Sequence, residues 1–278
     1  MMRKTSLITG EILRRLEACG ITAKKKLGQN FLVNEGVYRK ITAALGIRPS
    51  DTIVEIGPGL GTLTDYLTAA KRVIAIEKDS RLADYLKSRY HDNPNVQIVE
   101  GDILKFAPRA YSLKLKAYNL VGNIPYYLTS HLLKTVFDNW PLPKLVVLTL
   151  QKEVAQRITA KPPKMNLLAV SVQYHAIAEI VAYISRGSFY PTPKVDSAIV
   201  RIRPYQRKRP TKFDSFLFKA VKAGFGNKRK QLLNNLSIGL KMPKEKLITK
   251  LRSIGITPSR RAETLTLEEW QKISQIIG

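Results

Sequence analysis

The chain has 278 residues, is 44% hydrophobic, and carries 47 Lys and Arg against 21 Asp and Glu, a net charge of +26. That length supports one large α/β domain plus a smaller one, and the charge favours a polyanionic partner, nucleic acid above all, over a small neutral substrate. A single cysteine, Cys19, excludes an intrachain disulfide, and with neither Cys-x-x-Cys nor His-Glu-x-x-His spacing a protein-bound zinc site is not expected.

The opening segment, MMRKTSLITGEILRRLEACG, is basic, but Glu11, Arg14, Arg15 and Glu17 interrupt any signal-peptide core. Ile8, Ile12 and Leu16 stand four apart, which predicts an amphipathic helix. From Asp51 short β-branched runs alternate with helical patterns. TIVEIG precedes GTLTDYLTAA, RVIAIEKD precedes SRLADYLKSRY, AYNLVGN precedes LTSHLLKTVFDNW, and LVVLTL precedes QKEVAQRIT; VQIVEGD is a further strand before a polar stretch. Such alternation predicts right-handed crossovers and a parallel sheet covered on both faces. LVVLTL has the size of a buried strand, and no run approaches membrane-spanning length. A cytoplasmic monomer with no membrane association is the simplest expectation.

LLAVSVQYHA leans towards helix, and AEIVAYIS and VDSAIVRIRP predict two closer strands joined by RGSFYPTPK. After Pro204 the pattern changes. YQRKRPTK reads as a basic, proline-punctuated linker, and FDSFLFKAVKAGF, QLLNNLSIGL and KEKLITKLRSIG are helical repeats. Thr266 with Glu269 three residues on is a capping-box pattern that announces a last helix. The predicted organisation is a domain over residues 1–204 and a small all-α domain over 205–278. Charge follows this division: residues 51–200 hold 18 basic and 13 acidic side chains, residues 201–278 hold 19 and 5.

EIGPGLGT follows the first of the alternating strands and opens a helix. Gly57, Gly59 and Gly61 permit a tight turn and a close ligand approach, with Thr62 where a dinucleotide fingerprint has its last glycine. Glu77 ends the next strand, 20 residues after Gly57, where a carboxylate can accept from both ribose hydroxyls. Asp102 follows the third strand, placed to accept from an adenine amino group. These features predict a Rossmann-like sheet, and S-adenosylmethionine suits them better than NAD, since it carries ribose and adenine without pyrophosphate. At the end of a fourth strand stand Asn123, Ile124, Pro125 and Tyr126, which are ordinary turn residues when read alone.

KKKLGQNFL (24–32), VEIGPGLGTLT (54–64), EKD (77–79), EGD (100–102), GNIPYYLTS (122–130), QKEVAQRI (151–158), GSFYPTPKVDSAIVR (187–201) and NKRKQLLNNL (227–236) follow in order. In these motifs the chain resembles the ribosomal RNA small-subunit adenine N6,N6-dimethyltransferases, the KsgA/RsmA family, over essentially its whole length. The resemblance implies an S-adenosylmethionine-dependent methyltransferase that dimethylates two adjacent adenosines near the 3′ end of 16S rRNA, in the small ribosomal subunit. It implies cofactor contacts from Asn30 and Leu32, with Gln29 nearby, and from Gly57, Glu77, Asp102 and Asn123; Gly59 belongs to the same loop. It also places the chemistry at Asn123, Ile124 and Pro125, with Tyr126 as a ring on which the extracted base stacks and Phe189 as a candidate second wall. One departure stands at Met165–Asn166, where the family pattern has Tyr-Gly.

For RNA, the sequence offers Lys24, Lys25 and Lys26, then Arg207, Lys208, Arg209, Lys228, Arg229 and Lys230. Competing expectations are a large-subunit rRNA adenine N6-methylase, which shares the catalytic half, and a non-catalytic nucleic-acid-binding relative, which has no need of an intact Asn-Ile-Pro-Tyr. An NAD oxidoreductase is disfavoured by the glycine spacing.

Overall fold

The structure is a computed structural model and describes residues 10–17, 20, 30–106, 117–125, 128–205 and 212–277. Residues 10–17 form helix α1, and Ile12 and Leu16 are buried as their spacing predicts; Ile8 lies outside the described residues. Next come β1 (Phe31–Leu32), α2 (Glu35–Leu45), β2 (Thr52–Ile56), α3 (Thr62–Leu67), β3 (Arg72–Glu77), α4 (Ser80–Arg89) and β4 (Val96–Glu100). The chain continues through β5 (Asn119–Asn123), α5 (Thr129–Asn139), β6 (Leu145–Gln151), α6 (Lys152–Ile158) and α7 (Leu167–Gln173). Strands β7 (Ala176–Ile184), β8 (Phe189–Tyr190) and β9 (Ser197–Pro204) precede four helices, α8 (Lys212–Gly224), α9 (Leu232–Leu240), α10 (Lys244–Ser253) and α11 (Leu267–Ile277).

Seven strands form one sheet in the order β4-β3-β2-β5-β6-β9-β7. Strands β2 to β6 run parallel and β9 pairs antiparallel with β6. Alternation along each strand fills both faces. Ile53, Val73, Val121 and Val147 pack with Val37 and Ile41 of α2 and Leu63 and Leu67 of α3, while Val54, Ile74, Leu120 and Leu148 are fully buried on the other face. The strand order reverses between β2 and β5, and at such a switch point the loops leaving the two strands diverge and open a crevice.

The chain divides into two compact units, residues 1–155 with 179–206, and residues 156–178 with 207–278. The division expected at 204/205 therefore needs a correction. Residues 156–178 belong with the helices, because Met165, Ala169 and Val170 share a buried core with Leu217, Val221, Leu236 and Trp270. Helices α8 and α9 cross closely there: a Cβ on Gly239 would stand 2.4 Å from Ala223 Cβ. The expected capping box is formed, with Glu269 N–H donating to Thr266 Oγ1 (3.2 Å) and Thr266 N–H to Glu269 Oε2 (2.8 Å). At Met165–Asn166, Met165 is buried and Asn166 caps α7 by accepting from Ala169 N–H at 3.0 Å. That departure from the family pattern thus has a local structural use.

Candidate active site

The site begins where β2 ends. Gly57, Gly59 and Gly61 all take positive φ, at 62°, 59° and 74°. At Gly61 glycine is required twice over, since a Cβ would also stand 2.8 Å from the Tyr90 hydroxyl oxygen and 2.9 Å from Leu86 Cδ2. The loop therefore presents bare backbone, with α3 starting at Thr62.

Glu77, at the end of β3, is 7% exposed. Its Oε1 accepts from the N–H groups of Lys78 (2.8 Å) and Asp79 (2.9 Å), and its Oε2 from Gly59 N–H (3.1 Å). Three backbone donors thus hold one carboxylate against the glycine loop. Burial raises its pKa, opposed by these hydrogen bonds. Asp102 lies beyond β4; Lys78 Nζ donates to Oδ2 at 2.8 Å and Leu104 N–H to Oδ1 at 3.0 Å. The bond from Lys78 lowers its pKa and keeps it ionised.

Strand β5 delivers Asn123. Gly122 makes the approach possible, since a Cβ there would stand 2.8 Å from the Ile56 carbonyl oxygen of β2. Asn123 Nδ2 donates to the Asn30 carbonyl at 3.0 Å, which fixes the amide and turns Oδ1 into the end left to accept. Pro125 then accepts from Leu128 N–H at 3.0 Å, closing the turn that leads into α5. The turn reading of Asn-x-Pro and the site reading describe the same feature.

Asn30 is held by a small antiparallel pairing that no pattern in the sequence announces, with Phe31 opposite Tyr190 and Leu32 opposite Phe189. Phe31 lines the cavity, whereas Phe189 is 2% exposed and packs with Leu32, Val37 and Ile41 in the core. The sequence expects of Phe189 a second wall for the extracted base, not for this cavity, whose lining does not include it. Its neighbour Tyr190 is the exposed ring.

Of the other expected positions, Asn30, Leu32, Gly57, Gly59, Glu77 and Asp102 line a single cavity of about 520 Å³. Asn123, Ile124 and Pro125 line it from the other side. Gln29 and Tyr126 lie outside the described residues, as do Lys24, Lys25, Lys26, Arg207, Lys208 and Arg209. The volume is within the ~300–1,000 Å³ of small-molecule sites. The lining is rich in acceptors, including Glu55, Glu77, Asp79 and Asp102. Among the described residues its two cations, Lys78 and Arg81, are engaged by Asp102 and Asp79. This acceptor set suits a ribose, an adenine and a cationic sulfonium, and offers little to a pyrophosphate.

Sequence reasoning misses Glu55, although a carboxyl inside the apolar run TIVEIG is the available signal. It is 1% exposed, accepts from Thr64 Oγ1 at 2.6 Å, and burial pushes its pKa up to about 8. Among the described residues, no group of three or more His, Cys, Asp or Glu is placed to hold a metal ion, and no helix is long and apolar enough to cross a membrane.

In the helical unit, Lys228, Arg229 and Lys230 are exposed in the turn between α8 and α9. Buried Asn235 fixes that turn by donating through Nδ2 to the carbonyls of Gly224 (2.7 Å) and Asn227 (2.8 Å).

Residues 20–278 match the family model described as ribosomal RNA adenine dimethylase. The chain belongs to the ribosomal RNA adenine dimethylase family. Among relatives in this family, a Ribosomal RNA small subunit methyltransferase A from Dehalococcoides mccartyi is 42% identical over 260 residues, covering 93% of this chain and 89% of that one. Its counterpart from Geobacillus thermodenitrificans is 38% identical, covering 97% and 94%. A crystal structure of a dimethyladenosine transferase from Plasmodium falciparum superposes with a TM-score of 0.73 at 30% identity, covering 87% of this chain and 95% of that one. The crystal structure of the 23S rRNA methyltransferase ErmE gives 0.72 at 26% identity, covering 89% and 99%. The fold is thus that of these methyltransferases, and in this chain an acceptor-lined crevice lies at the switch point of the sheet.

Proposed function

We propose that this cavity holds S-adenosylmethionine and that the chain dimethylates two adjacent adenosines near the 3′ end of small-subunit ribosomal RNA. The observation that carries the reading is the Asn123 amide, locked by Asn30 so that Oδ1 stays an acceptor at the edge of the cavity. Glu77 would accept from the ribose hydroxyls and Asp102 from the adenine amine, while Asn30, Leu32 and the loop of Gly57 and Gly59 enclose the remainder. When bound, the cofactor supplies an electrophilic methyl group on a sulfonium.

The residues act on the other reactant, an exocyclic amine whose lone pair is delocalised into its ring. Two acceptors aimed at its N–H bonds favour tetrahedral nitrogen and return the lone pair to it. Asn123 Oδ1 is one acceptor and the Ile124 carbonyl the other, with Pro125 fixing the backbone between them and the following turn. Tyr126 is the ring on which the extracted base would stack. No strong general base is needed, because the methylated amine is acidic enough to release its proton to water.

The exposed cations of the helical unit, Lys228, Arg229 and Lys230, would bind phosphates and orient the RNA. The chain would act on this RNA as a monomer. The large-subunit reading is the runner-up; relatives named for the small subunit, at 38–42% identity, support the first over ErmE at 26%. The test is to incubate purified small and large subunits from a strain lacking this protein with labelled cofactor. Label confined to small-subunit RNA, with primer-extension stops at two adjacent adenosines near its 3′ end, is expected. Label on large-subunit RNA would transfer the reading to the runner-up, and no label at all would leave a non-catalytic binder.

A further inference from the structure

Helix α1 lies outside the segment matched by the family model, yet its Arg15 reaches the glycine loop. The Arg15 side chain is only 9% exposed. Its Nη1 donates to the carbonyl of Leu60 at 3.1 Å and lies 3.4 Å from Thr62 Oγ1. Its Nη2 donates to Asp65 Oδ2 at 3.1 Å and also pairs with Glu11. Asp65 is gripped in turn by Arg89 Nη2 at 3.0 Å and by the Tyr90 hydroxyl at 2.6 Å. Around the guanidinium, Ile12 and Leu16 of α1 pack with Val33, Leu60 and Leu82.

We propose that Arg15 is a positioning residue for the cofactor loop, clamping the Gly59–Thr62 backbone from the side away from the ligand. Leu60 stands between two glycines of positive φ, residues that hold the chain with little stiffness of their own. Leu60 and Thr62 both line the cavity, and Arg15 touches both. A planar fork satisfies a loop carbonyl and the first-turn carboxylate of α3 together, which a single-point ammonium cannot do in one geometry. The loop would thereby be ordered before the ligand arrives, which spares the ordering cost at binding. Arg15 itself touches neither ligand nor reacting atoms.

This inference rests on the cavity being the cofactor site, and the experiment separates the two. Calorimetry with S-adenosylmethionine on the wild-type chain checks the site first; no binding there would remove the site reading. Arg15→Met keeps the apolar stem and removes the fork. It should weaken cofactor affinity about tenfold, the loss of a charge-assisted hydrogen bond, and speed amide exchange of the peptide spanning Gly57 to Thr62. The cofactor KM should rise with kcat within about twofold, and Arg15→Lys should recover part of the affinity. Wild-type affinity and exchange in a folded Arg15→Met protein would overturn the proposal. If Arg15→Met does not fold, Arg15→Lys decides alone: it must bind several-fold more weakly than wild type, and equal affinity would overturn the clamp.

Discussion

Two regions of this molecule carry their polar residues in opposite ways. At the ends of β2, β3 and β5 the polar side chains face inward and are tied to backbone, as Glu77 is by three N–H groups and Asn123 by the Asn30 carbonyl. In the turn between α8 and α9 a buried side chain, Asn235, holds the backbone while Lys228, Arg229 and Lys230 face solvent. Fixed, desolvated acceptors give geometry, which chemistry needs. Exposed cations give long-range attraction with little geometry, which a polyanion needs. Damage to the first should show in turnover and cofactor affinity, and damage to the second in RNA affinity and its salt dependence.

The largest effect should come from Asn123→Ala. Single-turnover methyl transfer should fall by about 10²–10³-fold, as for loss of one preorganised transition-state group, with RNA binding retained. Wild-type rates would return Asn-Ile-Pro to a plain turn.

Glu77→Ala comes next, because it removes the proposed ribose acceptor and strands three backbone donors. Cofactor affinity should drop by about 1.5–3 kcal/mol, and the melting temperature should fall as well. Unchanged calorimetric affinity in a folded variant would take Glu77 out of the site.

Gly239→Ala supplies the contrasting case in the helical unit. A Cβ at 2.4 Å from Ala223 Cβ and 2.8 Å from its Cα overpacks the α8–α9 crossing, with a cost of about 1–3 kcal/mol in stability. Cofactor affinity should not move; a parallel loss of affinity would mean that the two regions are energetically linked.

Glu55→Gln sharpens the same point through pH. The folded pKa of Glu55, about 8, lies above the ordinary value, so the folded state holds a proton that the unfolded chain has released. Its contribution is therefore full below the unfolded pKa of about 4.3, declines as pH rises, and is lost once pH passes through the folded value. Melting curves from pH 5 to 9 should slope downward for wild type and flatten for Glu55→Gln. Identical slopes would place Glu55 in a more solvated setting.

Much of the crevice is legible in the sequence because its parts recur at strand ends: the glycine loop after β2, Glu77 as the last residue of β3, Asn123 as the last residue of β5. The parallel order follows from alternation alone. What stays hidden depends on partners far away in the chain. Phe189 reads as a second wall for the extracted base, yet a two-residue pairing with Phe31–Leu32 seats it in the core beside exposed Tyr190, and nothing local specifies that register. Residues 156–178 read as part of the sheet domain because the helical pattern of α7 does not say which apolar surface will cover it. Arg15 reads only as an interruption of a signal-like segment, since its partners at the loop, the Leu60 carbonyl and the Asp65 carboxylate, lie 45 and 50 residues on.

The most direct test measures single-turnover methyl transfer to undermethylated small subunits as a function of RNA concentration, for Asn123→Ala and for the triple change of Lys228, Arg229 and Lys230 to Gln. Asn123→Ala should lower the plateau and leave half-saturation near wild type. The triple variant should keep the plateau and shift half-saturation upward. Its salt dependence should be flatter by about 0.7 for each phosphate no longer neutralised, if the RNA is bound as a single strand. A triple variant with wild-type half-saturation, or an Asn123→Ala protein with a wild-type plateau, would contradict the division of labour between the two regions.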